Sequence, residues 1–263
     1  MDLLLKGKKA LVTGSSHGLG FAVASMLAAE GAEVSINGRN QAAMASARDR
    51  ILKATGVNVH GFTSDLSNAG APARLIDDAA SAMSGLDILI TNTGGPHPGR
   101  FEDSTEADWL GAFNLLLMSH VRMIHQALPY LRRSSIPSVL TITSFAVKQP
   151  ISNLVLSNSL RAATVGLTKT LALELGPEGI RFNSILPGWT DTERVQTLMQ
   201  NRASQNKTTP EEELKKQAAD IALGRLATPE EFAYAAVFLV SPRASYITGT
   251  MLSVDGGVLK GLF

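Results

Sequence analysis

A glycine-rich turn near the start of the chain carries the clearest chemistry in this sequence. An apolar run over residues 9–13 leads directly into Thr13-Gly-Ser-Ser-His-Gly-Leu-Gly20, and a helical pattern follows. Glycines at 14, 18 and 20 permit a tight turn, and they let backbone amides at the start of the helix approach phosphate groups. The pattern therefore predicts a dinucleotide-binding turn made of Gly14, Ser16, His17, Gly18, Leu19 and Gly20.

The end of the second apolar run bears on which dinucleotide binds. The segment Ile36-Asn-Gly-Arg-Asn40 places glycine where a carboxylate would hydrogen-bond the ribose 2′-hydroxyl of NAD, and Arg39 follows it. An arginine accommodates the 2′-phosphate of NADP, and His17 could lie near the same phosphate. We therefore expect NADP(H) to be favoured over NAD(H). The alternative is that Arg39 is a solvated surface charge.

These residues need a scaffold that brings strand ends together, and the hydrophobic pattern predicts one. Strands are expected at 9–13, 33–37, 57–63, 87–92, 139–143, 180–186 and 251–254, and helices at 20–30, 41–55, 71–83, 105–132, 156–175 and 229–240. Strands separated by helices need crossover connections, and strands that are apolar on both faces are covered on both sides. The fold class expected is α/β, a doubly wound, Rossmann-type, mostly parallel seven-stranded sheet flanked by helices.

The chain shows few signs of subdivision. We find no repeat, low-complexity tract or linker, so residues 1–263 are expected to form a single dinucleotide-binding and catalytic domain. The one shift in composition is the polar stretch 192–217, which lies between a strand end and a helix. It could form a mobile substrate lid or an ordinary surface excursion, and the sequence favours neither.

Composition limits the partners and the chemistry. The chain has 24 lysines and arginines against 23 aspartates and glutamates, so there is no general electrostatic reason to bind nucleic acid or a membrane surface. The absence of cysteine excludes a catalytic thiol and thiolate metal sites, and the spacing of the histidines suggests no metal. Apolar runs are too short to cross a membrane, and the N-terminus does not resemble a signal peptide, so we expect a cytoplasmic protein.

The motifs together resemble those of the short-chain dehydrogenase/reductase family over nearly the whole chain. The family glycine motif is Thr-Gly-x-x-x-Gly-x-Gly, as found at 13–20. Residues 65–66 are similar to its adenine-contacting pair, 91–94 to part of its Asn-Asn-Ala-Gly motif, and 187–192 to its motif near the nicotinamide; residues 254–257 match its closing strand. The resemblance adds as cofactor-binding residues Asp65, Leu66, Asn92, Gly94, Pro187, Gly188 and Thr192.

The family's catalytic residues are matched only in part. In that family a serine orients a carbonyl, a tyrosine thirteen residues later delivers a proton, a lysine four residues further holds the ribose, and an asparagine supports a water relay. Ser144 and Asn114 stand at the serine and asparagine positions, whereas Ser157 and Arg161 replace the tyrosine and lysine. A serine hydroxyl is a much poorer proton donor than a phenol, and arginine keeps the charge without readily releasing a proton.

The catalytic set implied by the resemblance is therefore Asn114, Ser144, Ser157 and Arg161, with Arg161 also contacting the ribose. Water or another side chain would have to complete proton transfer. His97, in the loop after the fourth strand, could carry a proton, although an exposed loop histidine is the favoured interpretation. Lys148 is a weaker candidate for the same role.

The resemblance implies an NADP(H)-dependent oxidoreductase acting on a carbonyl/alcohol pair, similar to 3-oxoacyl-acyl-carrier-protein reductases, with a small-molecule or acyl-thioester substrate. One alternative is a nucleotide-binding sensor or interaction protein without hydride transfer, and another is a non-redox enzyme on the same scaffold. The resemblance also implies a homo-tetramer. Small residues Ala162, Ala163 and Gly166 would permit close helix packing, unless they are buried within one monomer.

Overall fold

Parallel pairing organises the whole sheet. The computed structural model describes residues 1–262. Its strands are β1 Lys9–Val12, β2 Glu33–Gly38, β3 His60–Thr63, β4 Ile88–Thr91, β5 Ser138–Ile142, β6 Arg181–Pro187 and β7 Met251–Val254. Each strand pairs in parallel with its neighbour, in the order β3-β2-β1-β4-β5-β6-β7. The predicted doubly wound, Rossmann-type, seven-stranded sheet is confirmed.

Helices connect the strands and cover the sheet. They are α1 Gly18–Ala29, α2 Gln41–Thr55, α3 Ala71–Ala82, α4 Glu106–Phe113, a π-helix Asn114–Met118, α5 Ser119–Leu131, α6 Val155–Glu174, α7 Glu193–Asn206, α8 Pro210–Ala219 and α9 Pro229–Val240. Short 3-10 turns occupy Phe101–Asp103, Phe145–Val147, Gly176–Glu178 and Pro242–Ala244. Within residues 1–262, no helix is both long enough and apolar enough to cross a bilayer.

Two apolar cores lie on opposite faces of the sheet, because successive residues of a strand point to opposite sides. Ile88 and Ile90 of β4 belong to the core formed with α1, α2 and α9. Leu89, between them, belongs to the core formed with α3, α5 and α6. Covering on both faces explains why the strands are apolar at consecutive positions.

The strand order places a crevice above the centre of the sheet. From β1 the chain crosses to β2 on one side, whereas β4 continues to β5 on the other. Connections that leave in opposite directions open a crevice at the carboxyl ends of β1 and β4, where doubly wound folds bind ligands. The glycine-rich turn follows β1 directly, and Asn92 follows β4 directly.

The long helix predicted over 105–132 is interrupted. Helix α4 ends at Phe113, the π-helix takes the next turn, and α5 begins at Ser119. Thr164 of α6 donates its hydroxyl to the carbonyl of Leu116 at 2.6 Å, a contact from another helix that engages the wider turn. Helical residues therefore run without a gap from 106 to 131, close to the predicted bounds, and only the widened turn departs from the pattern, because the hydrophobic period does not show it.

Two further boundaries differ from the sequence prediction. The third strand begins at His60 rather than Val57, because the Val57 N–H is taken by the Thr55 hydroxyl at the end of α2. The polar stretch 192–217 forms the two helices α7 and α8, each opened by a threonine cap, Thr192 and Thr209. Its polar composition therefore reflects caps and exposed helix faces. A lid function for this stretch stays a prediction.

Candidate active site

Two glycines shape the turn between β1 and α1. Gly14 has a φ of +55°, and a Cβ on Gly20 would lie 2.4 Å from the Gly14 carbonyl oxygen. The Asn92 side chain donates to the same carbonyl at 2.9 Å, while Thr13 Oγ1 accepts from the Asn92 N–H at 2.9 Å. Asn92 therefore holds the turn against the end of β4. The predicted glycine pattern and Asn92 are parts of one structure.

The start of α1 is left open to a ligand. Its N-cap residue His17 makes no side-chain capping bond, and its first turn contains no acidic residue. By contrast, Asn40 and Thr228 cap α2 and α9 with their side chains. Uncapped N–H groups and the helix dipole favour an anion. The adjoining cavity, of about 230 Å³, is lined by all the predicted turn residues except Gly20, which packs beneath it.

The far end of this first cavity collects the residues predicted to contact the adenosine half of a dinucleotide. Arg39, Asp65 and Leu66 line it together with Ser16 and His17. A Cβ on Gly38 would lie 2.8 Å from the Met44 sulfur, so no carboxylate side chain fits there without a shift. The pKa of Asp65 is lowered, first by the Ser67 backbone N–H bond and also by the charge of Arg39. Arg39, Ser16 and His17 at this end of the cavity can bind a phosphate group.

The substituted catalytic pair lies on one face of α6. Arg161, a buried residue, donates from Nε to Ser157 Oγ at 3.2 Å. It also donates from Nη1 to the carbonyls of Ile142 and Thr143, at 3.3 and 3.2 Å. Arg161 thus ties α6 to the carboxyl end of β5. Because Ser157 Oγ accepts this bond, its own hydroxyl proton remains free to be donated to another acceptor.

Arg161 keeps its positive charge although its pKa is lowered. Burial, and after it the positive charge of Arg194, lowers the pKa of Arg161 to about 10. A group with this pKa stays protonated near neutral pH. The site therefore holds a buried cation beside the Ser157 hydroxyl.

Ser144 completes this side of the site. It follows β5, and its Oγ accepts from the Ala146 N–H at 3.1 Å, which leaves its own proton free. Ser144, Ser157 and Arg161 line a second cavity of about 170 Å³. The predicted nicotinamide-side residues Pro187, Gly188 and Thr192 line the same cavity. Leu19, Asn92, Thr93, Gly95, Thr192 and Arg194 line both cavities, so the two adjoin one another.

Asn114 is placed differently. It begins the π-helix, and its side chain donates to the Leu110 carbonyl at 3.1 Å and accepts from Arg122 at 3.3 Å. It lines neither of the two cavities. The fold therefore brings Ser144, Ser157 and Arg161 together and directs the Asn114 side chain elsewhere.

Other possible proton carriers lie outside both cavities. His97 and Lys148 are exposed and line neither. His120 is buried, with Nδ1 2.7 Å from the Thr91 hydroxyl, and burial lowers the pKa of His120 to about 3. It is therefore neutral in the folded protein. No group of three metal-binding side chains occurs in the part of the chain that is described.

Arg194 is the main site residue that the sequence did not single out. It lies in the first turn of α7, two residues after Thr192, and its guanidinium packs on Gly95. A Cβ on Gly95 would lie 2.2 Å from its Nη2. Arg194 lies in a generally polar stretch, so its residue type did not distinguish it from its neighbours. Its closeness to Thr192 was the only sign in the sequence that it belongs to the site. Thr93, Thr143, Thr190 and Trp189 also line the second cavity without having been predicted.

Comparisons with known proteins agree with this architecture. A family model described as enoyl-(acyl carrier protein) reductase matches residues 14–259. The 3-oxoacyl-[acyl-carrier-protein] reductase of Chlamydia muridarum is 31% identical over 98% of this chain and 100% of its own. L-sorbose reductase of Gluconobacter frateurii, solved with NADPH and L-sorbose, superposes with a TM-score of 0.94 at 30% identity over 100% of both chains.

One solved structure is relevant to the substituted catalytic pair. It is an NADPH-bound short-chain oxidoreductase from Pseudomonas aeruginosa PAO1, described as containing an atypical catalytic center. It superposes with a TM-score of 0.86 at 26% identity, over 96% of each chain. NADPH binding and a departure from the usual catalytic residues thus occur together in a protein similar to this one.

Proposed function

Because the chain belongs to the short-chain dehydrogenase/reductase family, we propose that it is an NADP(H)-dependent oxidoreductase that interconverts a carbonyl and an alcohol. The observation that carries this proposal is the arrangement of Ser144, Ser157 and Arg161. All three line the second cavity, which adjoins the first, and the hydroxyl protons of Ser144 and Ser157 are both free. NADPH, when bound, supplies a hydride to the carbonyl carbon.

Ser144, Ser157 and Arg161 would then stabilise the negative charge that develops on the carbonyl oxygen. Ser144 and Ser157 donate hydrogen bonds to the carbonyl oxygen, which gains the electron pair of the broken C=O π bond as the carbon is reduced. The Arg161 cation stabilises this negative charge through Ser157, the kind of electrostatic support that changes rates most. The oxygen takes the Ser157 proton, and a water molecule at the open mouth of the cavity returns one to Ser157 Oγ.

Turnover of defined substrates tests the proposal. The purified protein is incubated with NADPH and a panel of small ketones and a 3-oxoacyl thioester, and with NADP⁺ and alcohols. The thioester is included because a 3-oxoacyl reductase is among the relatives. We expect turnover that Ser144→Ala and Ser157→Ala each reduce. NADPH binding without turnover of any compound would instead favour the nucleotide-binding sensor.

We predict that Arg39 gives the site its preference for NADPH. Arg39→Ala should weaken NADPH binding about tenfold or more and leave NADH binding nearly unchanged, because a charge-assisted bond to the 2′-phosphate is worth about 1.5–3 kcal/mol. Titration of both nucleotides by fluorescence or calorimetry measures this. Arg50→Ala is the control, since Arg50 stacks on Phe21 away from the cleft. Equal losses for the two nucleotides would remove Arg39 from phosphate recognition.

We also propose a homo-tetramer that uses α6 as a contact surface. Ala162, Ala163 and Gly166 are exposed in the single chain, so burial within the monomer does not account for them. Leu173 on the same helix is also 71% exposed. We predict a light-scattering mass about four times the 27.8 kDa of one chain, and smaller species for Ala163→Arg. A wild-type mass near 27.8 kDa at micromolar concentration would exclude the assembly.

A further inference from the structure

The second cavity contains an unbalanced positive charge. Arg161 and Arg194 both line it, and no aspartate or glutamate of residues 1–262 does. The acidic neighbours of Arg194 in the chain do not neutralise it, because Asp191 accepts from Gln196 at 2.6 Å and no ion pair joins Arg194 to Glu193. Two cations that share a cavity without a counter-ion favour an anionic ligand.

The unused donors of the two arginines are also identifiable. Nε and Nη1 of Arg161 are committed to Ser157 and to the carbonyls of Ile142 and Thr143. This leaves the two N–H groups of Nη2 without a partner among the described residues, so one can contact the ribose, as the resemblance implies, and the other a ligand. Arg194 is an exposed residue that makes no hydrogen bond to any residue in the described chain, and its guanidinium lies on Gly95, where it lines both cavities. Planar guanidinium groups with free N–H donors are the groups that proteins use to bind carboxylates.

The geometry limits where the anion lies on the ligand. In a guanidinium, Nε and Nη2 are attached to the same carbon. Nε of Arg161 contacts the Ser157 hydroxyl that would donate to the reacting carbonyl, so Nη2 presents its donors only a few ångströms from that carbonyl. The close spacing of these donors therefore places the carboxylate near the reacting carbonyl of the ligand.

The cofactor phosphates do not bind Arg161 and Arg194 together. Their favoured position is the uncapped start of α1, which faces the first cavity; Arg194 lines that cavity as well as the second, whereas Arg161 does not line it. An anion shared by both arginines must therefore lie in the second cavity, where the substrate binds under the proposed function.

We infer that the substrate is a short oxo acid whose carboxylate lies one or two carbons from the reacting carbonyl, and that Arg161 and Arg194 bind this carboxylate together. The inference rests on the proposed carbonyl reduction. It makes Arg194 a specificity-determining residue, and it favours oxo acids over the 3-oxoacyl thioesters suggested by sequence similarity, since a thioester carries no carboxylate at that position.

Matched acids and esters test the inference. NADPH-dependent reduction of 2-oxobutanoate and acetoacetate is compared with that of their methyl esters, for wild type, Arg194→Met and Lys215→Met. Lys215 is an exposed lysine on α8, so its variant makes the same change in charge away from the cavity. We expect the acid-to-ester ratio of kcat/KM to exceed about tenfold in the wild type, and to fall about 10- to 100-fold only in Arg194→Met. An ester reduced as well as its acid overturns the inference and leaves the proposed function standing.

A binding measurement separates the inference from catalysis. Oxamate, an unreactive carboxylate, and oxamide, its neutral analogue, are titrated into the protein with bound NADP⁺ by calorimetry. We expect oxamate to bind, oxamide to bind at least tenfold more weakly, and Arg194→Met to remove this difference. If oxamate binds in this way but no carbonyl compound is reduced, the proposed function fails and the carboxylate site remains. If Arg194→Met weakens NADPH binding and leaves oxamate binding as in the wild type, Arg194 serves the cofactor and the inference is overturned.

Discussion

Arg161→Met is expected to lower kcat/KM for carbonyl reduction by a factor of about 10²–10³, the usual effect of removing a group that stabilises developing charge. The variant removes the cation beside Ser157 and leaves the Ile142 and Thr143 carbonyls unpaired. NADPH binding should also weaken, since the resemblance makes Arg161 a ribose contact. Steady-state kinetics and nucleotide titration measure the two effects.

Arg161→Lys is the matched control, because it keeps the positive charge and restores the residue type of the family pattern. It should retain much more activity than Arg161→Met. The pH profile gives a second control: since the pKa of Arg161 is lowered to about 10, kcat/KM should fall as the pH rises through about 10 and the charge is lost. Arg161→Met should lack this alkaline limb. If Arg161→Met turns over substrate with the same kcat/KM as the wild type, the reaction does not use this cation.

Gly20→Ala is expected to abolish NADPH binding at micromolar concentrations and to lower the free energy of unfolding by about 2 kcal/mol or more. The added Cβ would lie 2.4 Å from the Gly14 carbonyl oxygen, so the turn must move away from α1. This movement displaces the N–H groups that face the first cavity. Nucleotide titration and chemical denaturation measure the two changes.

Gly111→Ala is the matched control for Gly20→Ala. Gly111 lies in α4, and a Cβ there would meet no atom within 4 Å. The same substitution in an unhindered helix stabilises a protein by about 0.5–1 kcal/mol. Normal NADPH affinity in Gly20→Ala would show that the contact with Gly14 does not shape the cofactor site.

The parts of the fold that the sequence predicted well are those that local physics determines. The glycine turn lies within eight consecutive residues, 13–20, and central strands such as β4 are short apolar runs whose burial on both faces is visible in their composition. Helix caps are similarly local. The alternation of strands and helices also predicted a doubly wound, mostly parallel sheet, because crossover connections favour that arrangement, but it did not give the order of the strands.

The features that the sequence did not predict depend on contacts between distant segments. The π-helix receives the Thr164 hydroxyl, 48 positions from Leu116, and no local pattern records that bond. Asn114 is a local exception: it stands at the family position, but its side chain bonds to Arg122 and to the Leu110 carbonyl on the same run of helix. The Arg194 guanidinium can pack on Gly95, which is far from it in sequence, only because Gly95 has no side chain.

The arginines along the cleft also bear on how fast ligands arrive. Arg39, Arg161 and Arg194 line the two adjoining cavities, against the single carboxylate of Asp65, in a protein whose net charge is only +1. Positive potential is therefore concentrated along the crevice, where it attracts anions from solution before any contact forms. Salt shortens the reach of this attraction, to about 8 Å at physiological ionic strength. The association rate of NADPH should accordingly fall with added salt more steeply than its dissociation rate rises.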